Sequence, residues 1–286
     1  MQKYIYLFLL SFIFENSVIG IKAQSTYFVS TQGSDANTGS FSQPWKTIDY
    51  AVNQIHPGDS LLIRQGTYKG MIDISVSGTV NLPIVIRNYQ NEEVNITGNN
   101  LLDGQFLIKI EHQEYIQISG IIFKDYQVND AQGVLIINSS HIILSHNEFY
   151  NIDYSTNALG QTPTEQQNAQ PIIVFGRDSQ KASTDIRLLN NKIHDCETGW
   201  SEALSLNGNI DGFEINGNEI YNNTNIGIVA IGYEGECQDP NLDQARNGVI
   251  INNLVYQNPS AYDSAAGIYI DGGKNILVER NLVSGK

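Results

Sequence analysis

Ten residues in the C-terminal third of the chain are of types that move protons, hold cations or grip hydroxyl groups. They cluster around three short apolar runs, EALSLN (202–207), GIVAIG (227–232) and GIYIDG (267–272), and one long loop, YEGECQDPNLDQARN (233–247). If the three runs lie side by side, their ends share one edge. Asp211, Asp271 and Lys274 then come from short turns, and Glu234, Asp239, Asp243 and Arg246 from the loop. Glu202, Asn207 and Tyr269 sit on the runs themselves, as candidate substrate contacts. β-Elimination on a uronic acid polymer needs a base, a positive charge and a groove. Lys274 or Arg246 is the candidate base, lysine more readily because its pKa falls more easily, with Asp211 and Asp271 beside it. Glu234, Asp239 and Asp243 are candidate oxygen ligands for Ca2+, which would bridge the protein to the anionic chain. Hydrolysis instead needs two carboxylates, about 6.5–9.5 Å apart for inversion, and Asp211, Glu234 and Asp271 could supply them. A third possibility is a non-catalytic glycan-binding or surface protein. It draws support from Leu135, Ile137, Ile173, Phe175, Val229 and Ile231, which face outward and imply strands covered by a loop or a partner.

These residues need a scaffold that stacks strands, and a repeat supplies it. HIILSHNEF (141–149), DIRLLNNKI (185–193), GFEINGNEI (212–220), GVIINNLV (248–255) and NILVERNLV (275–283) share alternating apolar residues, a turn, an asparagine and an apolar residue two places later. The asparagines are Asn147, Asn191, Asn218, Asn253 and Asn281, at intervals of 44, 27, 35 and 28 residues; an earlier copy has Ile121 in that place. Repeats of this length built from short strands indicate a solenoid, whose units bury their apolar faces only by stacking. Asparagine tolerates the left-handed backbone of a tight turn. Stacked at about 4.8 Å, the amides can hydrogen-bond as a ladder. A further strand precedes each copy: 133–138, 171–176, 202–207, 227–232 and 267–272. The expected fold is all-β, a right-handed single-stranded parallel β-helix. A β-sandwich gives no reason for one asparagine per unit.

The chain resembles the right-handed parallel β-helix proteins of the pectate-lyase-like superfold over roughly residues 26–286. Its opening, TYFVSTQGSDANTGSFSQPWKTIDYAVNQIHPGDSLLIRQGTY, is similar to the N-terminal segment of calcium-dependent polysaccharide lyases. Within it, WKTIDYAVNQI places Trp45, Ile48, Val52 and Ile55 on one helical face. A helix over 45–55 is therefore expected to cover the first coil, whose strand edges would otherwise be bare. Asp35 and Asn37 suit a loop of Asx turns better than a metal. The resemblance implies a secreted polysaccharide lyase but carries over no catalytic base. In the alginate and chondroitin β-helix lyases a lysine follows a Glu-x-Ile-Ser stretch, whereas Glu202-Ala-Leu-Ser205-Leu-Asn207 has none. The aspartate cluster of the pectate lyase calcium site has no evident counterpart either.

Residues 1–23 read as a signal peptide, with Lys3 before an apolar run that is too short to span a membrane. Removing them changes the net charge from −14 to −15, through loss of Lys3, Lys22 and Glu15. A chain this acidic is not expected to bind nucleic acid. The expectation is a secreted or extracytoplasmic monomer, with one β-helix domain over 24–286 and an opening segment at 24–70. Cys196 and Cys237, the only cysteines, invite a disulfide in an exported protein, although their loops lie more than one coil apart. No C-terminal cap is recognisable before Lys286, so a continuation of the chain is expected.

Overall fold

The computed structural model describes residues 24–260, 262 and 266–285. The expected signal peptide lies outside them. Each coil contributes one strand to each of three parallel sheets. Sheet one has seven strands, sheet two nine and sheet three eight. One coil runs Ala131–Ile137 in sheet one, Ser140–Ser145 in sheet two and Glu148–Asp153 in sheet three. The next begins at Ala169–Gly176, paired in parallel with Ala131–Ile137.

Alternation sets the interior. Ile142 and Leu144 point inward and are fully buried, stacked in register on Ile116 and Ile118 below and Ile186 and Leu188 above. Phe123 and Phe149 stack at 4.7 Å, 13° from coplanar. At about 25 cal/mol per Å2 of apolar surface, these continuous inner columns are the main stabilising term.

The asparagine ladder is present. Each asparagine Oδ1 accepts from the backbone N–H and the side-chain amide of its neighbour: Asn147 to Asn191, Asn191 to Asn218, Asn218 to Asn253, Asn253 to Asn281. Each Nδ2 also donates to a sheet-two carbonyl, as Asn218 does to Leu188 at 2.8 Å. Ile121 ends the column, its N–H donating to Asn147 Oδ1. A second column, not anticipated from the repeat, starts at Cys196, whose N–H donates to Asn223 Oδ1, while Asn223 donates to Asn258 Oδ1. Cys196 and Cys237 are both buried free thiols, so the disulfide considered from the sequence is not formed.

The cap differs from expectation in length. The helix is Ile48–Val52, not 45–55. Thr47 is its N-cap, held by Asp35, whose oxygens accept from Lys46 N, Thr47 N and Thr47 Oγ1 at 2.8–2.9 Å. Trp45 bridges to Val29 instead of starting the helix. All four residues expected on the apolar face are nevertheless buried. Asp35 is a loop staple, and Asn37 is another, donating to Pro44 O.

Candidate functional site on the outer face of sheet one

Strand register builds two outward files on sheet one. Leu135, Ile173, Ser205, Val229 and Tyr269 form one. Ile137, Phe175, Asn207 and Ile231 form the other. The early coils give an apolar cluster, Leu135, Ile137, Ile173 and Phe175, with Phe106 against it. Ser205 and Asn207 interrupt those files with polar groups, although they are only 0% and 5% exposed. Asn207 Nδ2 donates to Glu234 Oε2 at 2.8 Å. Among the described residues Ser205 Oγ and Asn207 Oδ1 have no partner, which is costly for buried polar atoms unless something supplies one.

Glu202 opens the same strand. Burial pushes its carboxyl up to about 7, helped by the charges of Glu234 and Asp271. Glu202, Asn207, Glu234 and Asp271 thus belong to one electrostatic neighbourhood. Tyr269 shares the face and is exposed, in register with Val229. Such a set can hold a proton on the Glu202 carboxyl near neutrality.

The other sequence candidates do not join this neighbourhood as assigned. Arg246 is committed to structure: Nε pairs with Asp211 at 3.1 Å, Nη1 donates to Leu242 O and Gln244 O, and Nη2 donates to Asn209 Oδ1. A guanidinium so engaged is held as a structural tie and is not available as a base. Asp211 also accepts from Asn247 at 2.7 Å, so it anchors the two-residue ribbon joining Ile210–Asp211 to Ala245–Arg246. Lys274 lies beside that ribbon, bridged to Arg246 through the backbone, with its side chain exposed.

The three calcium candidates do not converge. Asp243 is buried, and its two oxygens accept from Gly235 N and Cys237 N. Asp239 Oδ1 accepts from the backbone and side chain of Asn241. Glu234 Oε2 accepts from Asn207. Each of the three is already tied into the protein by an N–H donor, and they do not gather into one ligand set. Among the described residues no three His, Cys, Asp or Glu side chains group to hold a metal ion.

Ser205 was not singled out from the sequence. The available signal was a serine inside EALSLN at the place where PIIVFG and GIVAIG carry Ile173 and Val229. Seeing it required the cross-coil register.

Three parallel sheets, a stacked asparagine turn and a capped first coil define a right-handed parallel β-helix. A family model described as Pel9A-like, right handed beta helix region, matches residues 27–170, half of the chain. The chain belongs to that family. It is 38% identical over 291 residues to YwoF of Bacillus subtilis (strain 168), an alignment covering 96% of this chain and 59% of that protein. It is 40% identical over 76 residues to pectate lyase PEL9 of Emericella nidulans, covering 26% of this chain and 18% of that one. The chain therefore spans less than two thirds of either relative. Among solved structures, a rhamnogalacturonan lyase superposes with a TM-score of 0.63 at 14% identity, over 88% of this chain and 62% of that one, a likeness of fold. No helix among the described residues is long and apolar enough to cross a membrane.

Proposed function

We propose that this chain acts outside the cytoplasm on a polysaccharide laid across the outer face of sheet one, with Glu202 carrying the proton in bond cleavage. The observation behind this reading is the Glu202 carboxyl raised to about 7 beside Glu234 and Asp271. A group titrating near the working pH is efficient as acid or base. With Glu202 protonated to donate to the glycosidic oxygen, and Glu234 or Asp271 ionised to activate water, the set suits hydrolysis. In this reading Ser205 Oγ and Asn207 Oδ1, which lack a partner among the described residues, would accept sugar hydroxyls.

Elimination on a uronate polymer is the second reading. The family, and the pectate lyase name of one relative, favour it. In that case ionised Glu202 takes the proton next to the substrate carboxylate, and Lys274 is the remaining candidate cation, since Arg246 is paired with Asp211. An acidic patch repels a uronate, so this chemistry would need a cation brought with the substrate.

The test is a digest of neutral and uronic acid polymers by the secreted full-length protein, with added Ca2+ and with a chelator. New reducing ends without unsaturated-product absorbance support hydrolysis. Absorbance that vanishes with chelator supports elimination. Retention on the glycan without products leaves a binding protein, and activity unchanged in Glu202→Gln removes Glu202 from either mechanism.

A further inference from the structure

A second carboxyl lies outside that neighbourhood, on the edge where sheet three passes into sheet one. Four successive passes of the chain line a half-open cavity of about 340 Å3 there, with Leu159, Gln161, Glu197, Thr224, Pro259 and Tyr262 among its walls. That is the small end of the range for ligand pockets, about 300–1,000 Å3. It suits one or two rings better than a long chain segment.

The walls are tied together. Tyr154 N donates to Glu197 O at 3.0 Å, and Glu197 N to Asp153 Oδ1 at 2.8 Å. The Tyr154 hydroxyl reaches Ala158 O and Gln161 O, each at 3.2 Å, which folds the 154–161 segment over the cavity. Tyr262 donates its hydroxyl to Gly199 O at 2.7 Å, and its ring meets Trp200 edge-on at 5.3 Å. Gly199 has φ +67°, and a Cβ there would lie 2.1 Å from Gln167 O, so this corner admits only glycine. Leu159 is 82% exposed, leaving apolar surface at the mouth.

Glu197 is the acid in this wall, and its carboxyl takes no hydrogen bond among the described residues. Burial, reinforced by Asp153, pushes it up to about 7. A neutral carboxyl offers one donor and one acceptor, the pair that two adjacent sugar hydroxyls complement. The aromatic and aliphatic walls suit the C–H face of a sugar ring. A uronate would bring a negative charge up to two carboxyls, Asp153 and Glu197, that burial already makes reluctant to ionise.

We propose that this cavity is a binding site for one uncharged sugar ring of a glycan, separate from the Glu202 face. The inference rests on the reading that the chain binds glycans, but it does not require that Glu202 cleave them. The experiment is calorimetric titration of the full-length protein with three tetrasaccharides: a neutral hexose, a galacturonate and a glucosamine oligomer. The same titration is run on Glu197→Gln, Glu197→Leu and Glu202→Gln. The neutral oligomer should bind tightest. Glu197→Gln keeps donor and acceptor and should stay within about twofold. Glu197→Leu should weaken binding about tenfold, the loss of one hydrogen bond with its partner left unsatisfied. Glu202→Gln should leave this binding event unchanged, so cleavage can fail while the cavity proposal stands. Equal affinity in Glu197→Leu with an unchanged melting temperature, or tighter binding of the uronate or amino oligomer, would overturn it. Should Glu197→Leu fold poorly, Leu159→Glu at the exposed mouth serves instead: it should weaken binding at least as much, and unchanged affinity there counts against the cavity.

Discussion

At the residue scale, Glu202 and Glu197 carry the most information, because both are carboxyls that the fold makes reluctant to ionise. Folding raises each from 4.5 to about 7. Between those values the folded state holds protons that the unfolded chain has released, so stability falls as pH rises through the window. Their stabilising contribution is fully present below about 4.5 and lost above about 7. Glu202→Gln and Glu197→Gln should each flatten that decline and raise the melting temperature at pH 8, by at least about 2–4 °C if about 1 kcal/mol is recovered. Melting curves from pH 4 to pH 8 check this, and parallel curves for parent and variants would mean ordinary carboxylates. If Glu202 also carries the proton, Glu202→Gln should cut turnover by about a hundredfold to ten-thousandfold while folding is retained. The thiols give a simpler residue-scale test. Burial holds the Cys196 thiol well above its ordinary value, and Cys237 is buried too. Neither should react with an aromatic disulfide reagent until the protein unfolds, and a reductant should leave the melting temperature unchanged.

At the element scale, the asparagine turn is the repeating joint. Asn218→Ala removes four side-chain hydrogen bonds: two accepted from Asn191, one donated to Leu188 O and one donated to Asn253. The buried groups left behind make about 3 kcal/mol or more a reasonable cost. The expected result is a melting temperature lower by several degrees, checked by calorimetry, and a loss no larger than for an exposed asparagine such as Asn241 would contradict the ladder's role. The cap behaves differently, because it closes an end. Val52, the last residue of the short helix, is fully buried, and Val52→Asp places an unpaired charge there. Aggregation or failure to fold is expected, whereas Asp35→Ala, which removes three bonds from the helix start, should fold but melt earlier. Light scattering and circular dichroism separate the two outcomes.

At the scale of the whole molecule, the solenoid was legible in the sequence because its physics is local and repeated. Side-chain alternation follows from the strand itself, the left-handed turn selects asparagine, and stacking forces the same choice at each level. The period therefore marked Asn147, Asn191, Asn218, Asn253 and Asn281 without knowledge of contacts, and the cap residues Trp45, Ile48, Val52 and Ile55 followed from helical spacing. The second column at Cys196, Asn223 and Asn258 escaped because one of its members is not an asparagine. The site was only partly legible. Sequence placed Glu202, Asn207, Glu234 and Asp271 near one face but also recruited Arg246, Asp239 and Asp243, whose charges suggested chemistry. Tertiary structure decided which charges were already engaged: Arg246 with Asp211, and Asp243 with two backbone amides. It also decided which carboxyls lost water. Burial and the approach of other charges depend on how loops fold against coils many residues away, and no local pattern encodes them. The sequence by itself determined the coil and its joints, since each copy repeats the same short-range constraint. Only the folded chain determined where a proton is held near neutral pH, because that depends on solvent exclusion by residues far apart in the sequence.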